Sequence, residues 1–165
     1  MNTQSGRSMI EMLAVIAIMG IIVVSATIGI NQGMVKYNSS KLHTDMQSIA
    51  DDVYNLYNWS RGYPGNIMTT TGLCREDVFP DGCNNDDTTA NNPFGGTYTV
   101  GIAECPADED DEVVENVTCL KITASGVPAE ECALLVTNDW GTAIGDPTCE
   151  ADTEDNLKKL VVHFP

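Results

Sequence analysis

The sequence predicts an α+β fold in which a long amino-terminal α-helix packs on a small antiparallel β-sheet and disulfides staple the result. Three observations predict it. An uncharged apolar run, Met12 to Ile30, passes into a stretch whose apolar residues recur at helical spacing; β-prone runs begin only at Thr97; and all six cysteines lie beyond the apolar run. A chain of 165 residues has room for one ordinary domain and no second large one. Its 24 carboxylates against 8 Lys plus Arg, a net charge of -16, exclude nucleic acid as a partner, because neutralising phosphates takes clustered Lys and Arg. Anionic headgroups are disfavoured for the same reason. An apolar content of 42% argues against wholesale disorder.

At a rise of about 1.5 Å per residue, Met12 to Ile30 comes close to a hydrocarbon core of roughly 30 Å and can span a bilayer. Glu11 at the edge of this run needs a reason, since a carboxylate at the centre of an inserted helix costs about 2.5 to 3.5 kcal/mol. Three readings compete. A secretory signal peptide has a loose cleavage site at Val24-Ser25-Ala26, but Glu11 offsets Arg7 in its n-region and the apolar run is too long. A plain single-pass anchor fits the length and leaves Glu11 incidental. The third reading is a short hydrophilic leader ending in Gly6 and removed inside the cell.

Gly6 followed by Arg7-Ser8-Met9-Ile10-Glu11-Met12-Leu13 resembles the cleavage and assembly motif of type IV pilins and type II secretion pseudopilins. The resemblance covers roughly residues 1 to 60. It implies that prepilin peptidase cuts between Gly6 and Arg7, that the new amino terminus on Arg7 is N-methylated, and that Glu11 becomes the fifth residue of the mature chain. Arg7 stands where the family usually has an apolar residue, Gly20 falls where it has a helix-loosening glycine, and no proline precedes Pro64. It further implies a precursor that spans the inner membrane once, an assembly machinery there, and identical or homologous pilin subunits as partners in an extracellular filament. In such a filament Glu11 can pair with the freed amine of a neighbouring copy, where an unpaired charge would be costly. A pseudopilin would instead build a short periplasmic piston. The domain organisation expected is a leader at 1–6, a membrane and assembly helix at 7–30, an amphipathic half-helix at 31–61 and an acidic globular domain at 62–165.

Beyond Asn31, Leu42, Met46, Ile49, Val53 and Leu56 follow one another at steps of four and three, which is one apolar helical stripe. Lys41, His43, Asp45, Gln47, Asp51 and Asp52 between them are expected on the wet face. Tyr54, Tyr57 and Trp59 thicken the stripe, and Gly62, Pro64 and Gly65 end the helix. One helix over residues 8 to 60 is about 80 Å long. A domain of about a hundred residues, with a radius of gyration near 13 Å, cannot bury all of it.

Residues 66 to 95, rich in Thr, Asn, Asp and Gly, read as a long connecting loop. Thr97 to Ile102 and Val117 to Thr123 suggest an antiparallel hairpin with an acidic tip, Ala129 to Val136 a short helix, and Leu157 to Phe164 a closing strand. The cysteines Cys74, Cys83, Cys105, Cys119, Cys132 and Cys149 suit an oxidising compartment. Zinc is the rival, but no C-x2-C spacing occurs and two His residues complete no common pattern. Six sulfurs permit fifteen pairings, which stay open. One of them closes a short loop with Cys74 and Cys83, ties the short helix to the tail with Cys132 and Cys149, and leaves Cys105 with Cys119. The pilin resemblance implies a disulfide between the sheet region and the carboxy-terminal segment.

No cofactor is expected. The acidic run Asp108 to Glu112, with Asp86, Asp87, Asp152, Glu154 and Asp155, has enough oxygens for calcium, and the resemblance to pseudopilins implies that ion, but no EF-hand pattern occurs and no ligand set maps. A solvated hairpin tip is the plainer reading. The sequons at Asn38, Asn58 and Asn116 carry little weight, being short matches. No nucleophile elbow, P-loop, dinucleotide fingerprint or H-E-x-x-H motif is present, and His43 and His163 stand far apart in sequence, so no enzyme is expected. The function expected is a pilus-like structural subunit serving adhesion, motility or aggregation; the alternatives are a type II secretion pseudopilin or an anchored binding or enzymatic domain.

Overall fold

A computed structural model of the chain describes residues 5–57, 69–84, 88–105, 118–152 and 156–165. The elements in chain order are α1 (Ser5–Tyr57), α2 (Thr70–Arg75), β1 (Ala90–Asn91), β2 (Thr97–Glu104), β3 (Thr118–Pro128), α3 (Ala129–Val136), β4 (Thr148–Ala151) and β5 (Leu157–Phe164). Residues up to Tyr37 form one compact unit and Asn38 to Pro165 another. Among its described residues the first is helix alone. The second holds the rest of α1 and a five-stranded sheet of order β1-β2-β3-β5-β4, antiparallel throughout.

Alternation along the strands decides which side chains are covered. Leu120, Ile122 and Ala124 on β3 and Leu160, Val162 and Phe164 on β5 turn to one core, where Leu42, Met46, Ile49 and Val53 of α1 meet them, all four fully buried. The stripe ends there. Tyr54 and Leu56 are 51% and 42% exposed, and Tyr57 packs on the core instead. The expected stop signals Gly62, Pro64 and Gly65 lie outside the described residues, as does the hairpin tip at 106–112.

The supposed loop at 66 to 95 contains two elements. Thr69 caps α2 by accepting a hydrogen bond from the Gly72 amide at 3.2 Å, and the Thr70 hydroxyl accepts from Val100 at the edge of β2. Asn92-Pro93-Phe94-Gly95 makes the turn between β1 and β2: Asn92 Oδ1 accepts from Phe94 and Gly96, Gly95 donates to the Asn92 carbonyl, and Gly95 has φ +85°. β4 has no counterpart among the expected strands, because all four of its residues are exposed and give no alternation. β3 runs on to Pro128 past an irregularity between Ala124 and Val127. There Gly96 crosses so close to Ser125 that a Cβ on it would stand 2.0 Å from the Ser125 carbonyl oxygen.

Disulfides join Cys74 to Cys83, Cys105 to Cys119 and Cys132 to Cys149, which removes the zinc reading. In the chain-entropy account, closing a loop of about 15 residues contributes about 3 kcal/mol. The crossing at Gly96 gives a test: Gly96→Ala is expected to lose about 2–3 kcal/mol by overpacking, while Gly101→Ala, whose Cβ would meet nothing within 4 Å, stays within about 1 kcal/mol. Thermal unfolding of the two detergent-solubilised variants, side by side, checks the contrast.

Candidate functional site

Two surfaces carry the chain's chemistry, one in each unit. In the first, α1 begins at Ser5, so the Gly6–Arg7 peptide bond lies within its first turn and Glu11 follows Arg7 by about one turn. The Glu11 side chain is exposed. Behind it the large apolar side chains from Met9 to Val24 are 52% to 72% exposed. This stretch belongs to a helix long and apolar enough to cross a membrane, with no part of its most apolar window buried. A Cβ on Gly20, Gly29 or Gly33 would meet nothing within 4 Å, so nothing inside the chain requires a glycine at these positions. Each costs about 0.5 to 1 kcal/mol of helix stability relative to Ala.

In the second unit the rest of α1 is gripped on two flanks. On one, Lys41 pairs with Asp81, which is carried by the loop that Cys74 and Cys83 close, and Asp45 accepts a hydrogen bond from the Tyr98 hydroxyl of β2 at 3.2 Å. On the other, the Ser39 hydroxyl donates to Glu131 of α3 at 2.6 Å. Beside it, His43 Nε2 meets the Asp139 carbonyl at 2.9 Å and its ring lies 4.4 Å from that of Trp140. Asp139 and Trp140 belong to the segment closed by Cys132 and Cys149. Trp140 is itself fixed, donating from Nε1 to the Leu135 carbonyl at 2.8 Å.

Two expectations from the sequence are corrected here. Asp45 is not on a wet face; it is 6% exposed, at the edge of the core cluster. His43 is not a solvated side chain but half-buried against Trp140. Their partners lie 53 and about 97 residues away, so no local pattern could have announced them. Burial raises the Asp45 carboxyl above its ordinary value; Tyr98 and Lys41 oppose that and Asp81 adds to it. Burial, with Asp45 and Asp81 as neighbours, keeps the Tyr98 phenol protonated far into the alkaline range. Near the carboxy terminus, burial first and Lys121 second hold His163 below its usual value, with Glu150 opposing.

Of the remaining sequence candidates, Asn38 is half-buried on α1, while Asn58, Asn116, Asp86, Asp87, Glu154, Asp155 and the run Asp108 to Glu112 lie outside the described residues. Asp152 accepts from the Gly126 amide at 2.9 Å and faces Lys159 at 3.7 Å, a structural role at the β3 irregularity. Among the described residues no three of His, Cys, Asp or Glu come together to hold a metal ion. An open depression of about 180 Å³ lies beside Asn138, Trp140, Gly141 and Asp146.

The family model described as PilS N terminal matches residues 36–158. No curated protein and no solved structure matches the chain.

The Asp45 contact gives a pH prediction. A carboxyl whose pKa is raised by folding favours the folded state when protonated, so the penalty for burying its charge is full at neutral pH and fades as pH falls through the region just above the ordinary carboxylate value. Asp45→Asn should therefore gain stability relative to the parent at pH 7 and lose that advantage near pH 4. Urea unfolding at both pH values measures it, and an advantage independent of pH contradicts it.

Proposed function

The chain belongs to the PilS family of pilin-related proteins, and from that premise we propose that it is the structural subunit of a type IV pilus-like filament. On this reading it is inserted as a single-pass precursor, cut between Gly6 and Arg7 by prepilin peptidase, and polymerised outside the inner membrane through α1. The observation that carries the reading is the uncovered first half of that helix. Full burial of one large apolar side chain is worth about 1.5 to 3 kcal/mol, so more than a dozen of them cannot be left in water. Lipid covers them first. Leaving lipid for the flanks of other copies then gains little hydrophobic free energy, since acyl chains are as apolar as Ile or Leu.

Something else must therefore favour the polymer and set its register. Glu11 does both on this account, because after cleavage its charge meets the freed amine of Arg7 on a neighbour. Gly20, Gly29 and Gly33, which no contact within the chain requires, let neighbouring backbones approach. The chain's work is mechanical: α1 transmits load, the second unit presents surface to adhere or aggregate, and no reaction is assigned to it.

Glu11→Ala should leave insertion and the mature mass unchanged but lower the yield of sheared extracellular filament by at least about tenfold, the equivalent of losing one roughly 1.4 kcal/mol interaction per copy. A normal yield contradicts the assembly role. Gly6→Trp should leave the precursor uncut, read as an intact mass that retains residues 1 to 6. A mature mass from that variant places the cleavage elsewhere.

A further inference from the structure

The unit from Asn38 to Pro165 holds 23 of the chain's 24 carboxylates and six of its 8 Lys and Arg, because only Glu11, Arg7 and Lys36 precede it. Two of those cations are already engaged, Lys41 by Asp81 and Lys159 by Asp152. Among the described residues, exposed carboxylates are spread over separate elements: Asp51 and Asp52 on α1, Glu76 and Asp77 after α2, Glu130 on α3 and Glu150 on β4. The described residues form no metal-holding group among them. Charge spread in this way draws a mobile ion atmosphere.

Isolated, such a unit is simply soluble. Polymerised, it behaves otherwise. A body of about 130 residues has a radius of gyration near 14 Å. The screening length at 0.1 M salt is about 10 Å, so the ion atmospheres of touching copies overlap and the array condenses counterions along its length. Replacing many condensed monovalent ions by fewer multivalent ones releases ions to the solution, the same entropy that drives polycations onto DNA. Between two parallel arrays, sodium only screens. A cation of charge two or more can be shared by carboxylates on both.

Resting on the filament reading above, we infer that the assembled polymer is a polyanion whose side-by-side bundling is governed by small multivalent cations, either divalent metal ions or polyamines. With them the filaments bundle; without them like charge keeps the filaments apart. Sodium at high concentration competes the multivalent ions off and disperses the bundles. The field is diffuse, so no single carboxylate is essential and the response scales with their number.

Filaments sheared from cells and washed in chelator are titrated with NaCl, MgCl2 and spermine, and bundling is read by low-speed pelleting and electron microscopy. The expected result is pelleting by spermine and by magnesium, none by NaCl at the same ionic strength, and reversal when NaCl is added to spermine bundles. Glu76→Gln, Asp77→Asn, Glu130→Gln and Glu150→Gln combined should raise the spermine midpoint by about twofold or more, following the reduced number of condensed ions. Dispersed filaments that ignore ion valence, or a midpoint that the four substitutions leave in place, overturn the inference and leave the filament reading standing. Absence of filaments under every condition overturns both.

Discussion

Everything in this chain follows from a helix that its own fold covers only in part. The apolar side chains from Met9 to Val24 are more than half exposed, whereas Leu42 to Val53 on the same helix are sealed against the sheet. One helix therefore carries two stretches with different needs. The first stretch needs lipid or other helices; the second needs a β-sheet. A helix suits both, because its backbone groups are satisfied internally whatever lies outside.

The second unit holds its part of α1 with more than its apolar core. It does so by closing loops and aiming them at the helix. Cys74–Cys83 bounds the segment that offers Asp81, and Cys132–Cys149 bounds the segment that offers Asp139 and Trp140. Each closure restricts the unfolded chain, and each delivers polar or aromatic contacts to a flank of α1 while the apolar stripe fills the space between. A pull along α1 thus meets contacts on both sides of the helix. Asp45 is the exception to the rule that buried charges are avoided; Tyr98 and Lys41 reduce the cost of keeping it there.

Much of this was legible because the signals are local. The four-and-three spacing marked Leu42, Met46, Ile49 and Val53, and the apolar closing run Leu157 to Phe164 marked β5. Pro128 ahead of Ala129-Glu130-Glu131 marked the start of α3, where acidic residues suit the helix amino terminus. What stayed hidden depends on contacts distant in sequence. β4 is an exposed edge strand and has no periodicity of its own. α2 is six residues long, short of two turns, and is held by its Thr69 cap and by Thr70 against β2. Asp45 and His43 read as surface residues because their partners, Tyr98 and Trp140, sit far along the chain. Of the fifteen possible pairings of sulfurs, the one singled out in the sequence is the one the folded chain has.

On the proposed filament reading, the uncovered helix lets one chain pass from lipid to a polymer. A membrane span that must stay would gain from partners in the membrane; one that must leave needs a destination equally apolar and better matched in charge. On that reading, identical helices would supply the first and the amine freed at Arg7 the second. The most direct measurement places a photo-crosslinking side chain at Ile16, in the middle of the exposed stretch, and irradiates extracellular material sheared from living cells. Adducts of the chain with itself, at multiples of one subunit mass, are predicted. Extracellular chain that yields only uncrosslinked monomer would contradict the account, because the apolar stretch would then be out of lipid with no sibling against it.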